Sequence, residues 1–82
     1  MITELTRQEF EDALEKEKVE LLVVWNALEG NAPQTCGKLR SIRTNGVIRF
    51  VWETPPSDKD IQAIQEVMED FPWVWNSTPF FA

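Results

Sequence analysis

Cys36 is the only cysteine in the sequence and its most evident nucleophile. A thiol near a helix start and basic side chains loses its proton more readily, and the thiolate is the reactive form. With no second cysteine to resolve a mixed disulfide, single-thiol redox chemistry is the only redox activity left open. The common alternative is a small buried residue, the usual fate of a free cysteine. The chain has no histidine. That removes Ser-His-Asp and Cys-His arrangements, along with the usual proton carrier near neutral pH. Zinc sites need Cys and His in sets of three or four, so neither a metal nor a cofactor is expected. Asp58-Lys59-Asp60 has the side chains for a divalent cation or a phosphate group. Acids at a helix start explain the same residues through the positive end of the helix dipole. Glu53 and the carboxylates that follow Thr6 show no spacing that selects an acid–base pair.

The residues suited to binding are more numerous. Lys38, Arg40, Arg43 and Arg49 make up half of the 8 basic residues and lie between acidic ends, a pattern that could dock an anion or an acidic partner. Internal ion pairing is the plainer expectation for them. Trp73, Trp75, Phe80 and Phe81 crowd the C-terminal segment. That much apolar surface either completes the core of a small domain or forms a contact surface. If the segment is an edge strand, it could pair with a second copy of the chain or with another protein. Trp73, Trp75, Phe80, Phe81, Arg40 and Arg43 are therefore the candidate partner-binding residues, and no residue beyond Cys36 is a candidate for catalysis.

The 82 residues carry 8 Lys+Arg against 14 Asp+Glu, a net charge of −6. An apolar content of 43% and a charged content of 27% suit one small globular domain over residues 1–82. The longest apolar run, Leu21-Leu22-Val23-Val24-Trp25, is far short of a membrane span. No basic region followed by an apolar stretch marks a signal peptide, so a soluble, cytoplasmic protein is expected. The acidic balance argues against direct nucleic-acid binding. It leaves room for an acidic inhibitor that mimics nucleic acid through the carboxylates of the first helix.

Several elements must position these residues. Thr6 and Glu9 fit a capping box, with Leu5 and Phe10 as a hydrophobic staple. The helix predicted from there runs from Arg7 to Lys16 or Lys18, with Phe10, Ala13 and Leu14 on its apolar face. Val19–Ala27 reads as a strand buried on both faces, and Val47–Trp52 as a second strand. Between them, Pro33–Thr44 reads as a short helix with Cys36, Leu39 and Ile42 inward and Asn45-Gly46 as its left-handed cap. The alternative is a hairpin turning at Asn45-Gly46. With a two-residue turn, that hairpin would set Ser41 and Arg43 on the face of Ile48 and Phe50. Ser57 is a predicted N-cap, Asp58 and Asp60 lie in the first turn, and Ile61, Ile64, Val67, Met68 and Phe71 form an apolar stripe ended by Pro72.

The result is an α/β fold. The run Ile2-Thr3-Glu4-Leu5-Thr6, with Phe10, Leu14 and Leu22-Val23-Val24-Trp25-Asn26-Ala27, resembles the opening of thioredoxin-like domains. Ser77-Thr78-Pro79-Phe80-Phe81 resembles that family's cis-proline segment. The resemblance implies a small sheet flanked by helices, with Cys36 after the central strand. The family's Cys-x-x-Cys is missing. The expectation is therefore a shortened, thioredoxin-like protein-interaction module (an adaptor, assembly factor or inhibitor) that lacks the dithiol activity. The alternative architecture is α+β, with a hairpin at Asn45-Gly46.

Overall fold

The computed structural model describes residues 3–12 and 19–81. Strand β1 spans Thr3–Thr6 and leads directly into helix α1, Arg7–Asp12. The capping box forms in both directions: the Glu9 amide donates to Thr6 Oγ1 at 3.2 Å, and the Thr6 amide donates to Glu9 Oε1 at 3.1 Å. Leu5 is fully buried and Phe10 packs against the same core. Ala13, Leu14, Glu15, Lys16 and Lys18, expected to extend this helix, lie outside the described residues.

Helix α2, Val19–Asn31, occupies the segment expected to be a central strand. Its buried residues are Leu21, Val24, Trp25 and Leu28, the i, i+3, i+4, i+7 spacing of a helix face. Leu22 and Val23 fill the intervening positions with further apolar side chains, and Val23 is exposed. The continuous run is therefore one helix stripe with two apolar neighbours. Leu22–Ala27, which carried much of the thioredoxin-like resemblance, is helical.

Pro33–Thr44 divides into two elements. Helix α3 covers only Pro33–Cys36, with Pro33 in its first turn, where a missing amide hydrogen costs nothing. Strand β2, Leu39–Thr44, then pairs antiparallel with β3, Ile48–Trp52. The longer helix is thus overturned in favour of the hairpin. Cys36, Leu39 and Ile42 do point into the core.

The hairpin turns through three residues, Asn45-Gly46-Val47, since Thr44 faces Ile48 across the ladder. That single extra residue matters, because side chains alternate faces along a strand. It sets Ile42 opposite Phe50 on the core face and Arg43 opposite Arg49 on the other. The poor core face expected of a two-residue turn therefore does not arise. Gly46 adopts a φ of 102°, a left-handed conformation that favours glycine. Further along β2 a bulge leaves Arg40 without a partner between Leu39 and Ser41, which turns Leu39 inward as well.

Helix α4, Asp58–Met68, crosses from β3 to β4, Trp75–Phe80, which lies parallel to β3. The sheet order is β1-β2-β3-β4. One face of the sheet receives Leu21, Val24, Trp25 and Leu28 of α2 and Ile64, Val67 and Met68 of α4, which meet Leu5, Leu39, Ile42, Ile48, Phe50 and Trp52. The arrangement is a mixed α/β fold with one helix-covered sheet face. On the opposite face lie Glu4, Ser41, Arg43, Arg49, Val51, Asn76 and Phe80, as their register requires.

Candidate functional site

Cys36 ends α3 and is completely buried in the core cluster. Burial pushes its thiol up to about 12, the Glu29 carboxylate reinforces the rise, and Arg7 opposes it without prevailing. This is the environment of an inert structural thiol rather than an activated one. Arg7 binds the carbonyls around it: its guanidinium donates to the Cys36 carbonyl at 2.9 Å and to the Leu39 carbonyl. Arg7 also lies 5.9 Å from the centre of the Trp25 ring, so it fastens α1 to the turn between α3 and β2.

Asp60 is a structural acid. It is 5% exposed and sits at the third position of α4, where it closes a capping box with Ser57. The Ser57 amide donates to Oδ2 at 2.8 Å, Lys38 Nζ donates to Oδ2 at 2.6 Å, and the buried Thr35 hydroxyl donates to Oδ1 at 2.7 Å. Burial alone would raise its pKa. The hydrogen bonds from Lys38, Ser57 and Thr35 outweigh that and hold the carboxyl far below the usual carboxylate range. Both oxygens are engaged in joining α4 to α3 and to the turn that precedes β2. Lys38 is thereby removed from the expected basic cluster.

Most of the aromatic segment turns inward. Trp73 stacks on Phe71 with ring centres 5.2 Å apart, and Trp75 meets Phe50 edge-on at 6.2 Å. Both tryptophans pack against the core. Phe81 is 50% exposed. Pro79 has a trans peptide bond, as have all the described residues. Arg40, at the bulge, stands 3.8 Å from Glu53 in an exposed pair that contributes little stability.

The candidates that come together are Arg43 and Phe80, joined by Arg49. Arg43 and Arg49 face each other across the β2–β3 ladder. Their guanidinium carbons lie 5.4 and 5.1 Å from the centre of the Phe80 ring. Arg43 also donates through Nε to Glu4 at 2.6 Å, and the Ser41 hydroxyl donates to the same oxygen at 2.6 Å. The Ser41 hydrogen bond, against the cost of burial and with help from Arg43, lowers the Glu4 pKa. Arg49 is exposed and has no carboxylate partner among the described residues. Thr44, Asn45 and Val47 complete a shallow pocket around the two arginines and the ring. Arg49 was visible as part of the basic segment, but only the three-residue turn shows that it joins Arg43.

The β4 strand is an edge of the sheet. Its pairing with β3 is interrupted between Asn76 and Phe80, where the Asn76 side chain accepts from the Thr78 amide at 2.8 Å. Pro79 lacks an amide hydrogen within the same stretch. A bulge and a proline are devices that blunt an edge against strand addition, so the side-chain face beside β4 is the more available contact surface. Among the described residues, no helix is long and apolar enough to cross a membrane. Compared with protein-family models, curated proteins and solved structures, the chain shows no match.

Proposed function

We propose that this chain is a protein-interaction module that acts by binding, through the sheet face opposite α2 and α4 at the β3–β4 corner. The observation that carries this reading is the pair of arginines laid on Phe80, with Arg49 exposed at the edge of a shallow pocket. Val47, exposed and lining the same pocket, adds apolar area. Aromatic and arginine side chains are the types enriched at binding hot spots. Trp73 and Trp75, by contrast, serve the core. The single-thiol redox reading is disfavoured by the burial and raised pKa of Cys36.

Photo-crosslinking in the protein's native cells tests the proposal. A benzophenone amino acid replaces Val47, at the rim of the pocket, in one variant and Gln62, exposed on α4, in another. A discrete protein adduct from position 47 that is absent from position 62 is the expected result. Adducts of equal identity and yield from both positions would contradict the assigned face.

A further inference from the structure

The pair of residues facing each other across β2 and β3 at Arg43 and Arg49 is like-charged. Residues directly opposite on one sheet face interact, and like charges there destabilise. Arg43 and Arg49 occupy such a position, in a chain with a net charge of −6. Glu4 neutralises Arg43, and its Oε2 is already shared between Arg43 and Ser41. Arg49 is exposed and has no such partner among the described residues. The Phe80 ring restrains both side chains, so less conformational freedom is lost when they bind. A guanidinium presents planar, paired donors that match a carboxylate.

We infer that the Arg43–Arg49–Phe80 face captures a carboxylate side chain from an acidic segment of a partner protein, with Arg49 making the decisive contact. The inference rests on the protein-binding reading and adds the chemistry of the partner. Charge complementarity selects this occupant. One uncompensated guanidinium matches one carboxylate, while a nucleic acid needs many neutralised phosphates and would meet the field of an acidic protein. The pocket is shallow and edged by exposed Asn45, Val47 and Arg49. It suits a side chain delivered by a larger surface better than a free small molecule, which needs deeper enclosure.

A display library of random linear peptides, selected on the purified protein, provides the probe. The expected result is enrichment of peptides with Asp or Glu at a fixed position. Arg49→Glu should weaken them about fivefold to tenfold, as loss of an exposed charge pair plus repulsion implies. Exchanging the peptide's acid for Lys should restore binding to that variant. The Nε–H resonance of Arg49 should shift when the acidic peptide is added. Arg49→Glu should fold with little net change in melting temperature, because the opposite-charge pair it makes with Arg43 offsets the lost contact with Phe80. Enriched peptides that shift Phe80 and Val47 but carry no acid would overturn the carboxylate inference and leave the binding face standing. Peptides that perturb none of these residues would overturn both. Stronger shifts of Arg49 with inorganic phosphate or a phosphopeptide than with the acidic peptide would reassign the ligand, and a dimer abolished by Arg49→Glu would make a second copy the occupant. Either outcome overturns the inference.

Discussion

Individual side chains divide sharply into those that hold the fold and those free to do something else. Asp60 belongs to the first kind. Asp60→Ala removes a helix cap and leaves the buried Thr35 hydroxyl and Lys38 without their acceptor. A loss of about 2–3 kcal/mol is expected in urea unfolding at neutral pH. The same carboxyl sets the acid response. Its pKa is lower folded than unfolded, so the unfolded chain takes up the proton first as pH falls. Stability from Asp60 is complete above the unfolded carboxylate value, about 4, and drains away below it. Asp60→Asn should flatten the dependence of the urea midpoint on pH below that point. Cys36 gives the opposite signature. Its thiol keeps its proton in the folded state to about 12, and its contribution is lost only at alkaline pH, as the unfolded thiol ionises. A disulfide reagent at neutral pH should label it only at the rate at which the protein opens, and fast labelling of the folded chain would revive the redox reading.

Among the elements, those announced by local chemistry could be read from the sequence, and those decided by long-range packing could not. The capping residues Thr6, Glu9, Ser57 and Asp60 act within a few positions of themselves, and both helix starts formed where they indicate. The run from Leu21 to Trp25 carries no such punctuation. Its apolar residues satisfy a buried strand and a helix stripe equally, until Leu28 extends the helical spacing beyond a strand's length. The hairpin hinged on one residue of turn length, and with it went the identity of the basic face. Arg43 was singled out as a binding candidate, whereas its partnership with Arg49 depends wholly on Val47 belonging to the turn. Two substitutions probe these elements. Gly46→Ala meets no neighbouring atom but must hold a φ of 102°, and should cost about 1 kcal/mol of unfolding free energy. Trp25→Ala empties a fully buried site on α2 and should cost about 3–5 kcal/mol, whereas a solvated loop there would show almost none.

At the scale of the whole molecule, α2 and α4 cover one face of the sheet, and Arg43 and Arg49 lie on the other. Glu4 shares that face and pairs with Arg43, which leaves Arg49 as a small positive target on a chain with a net charge of −6. Such an arrangement favours one orientation of approach for an acidic partner. It also makes the interaction sensitive to ionic strength. The most direct measurement is the affinity of the partner crosslinked at position 47 for the wild-type chain and for Arg49→Glu, at low and high salt. A loss of about fivefold to tenfold in the variant, shrinking as salt rises, is expected if the Arg43–Arg49–Phe80 face is the binding surface. Equal affinities at every salt concentration would contradict it.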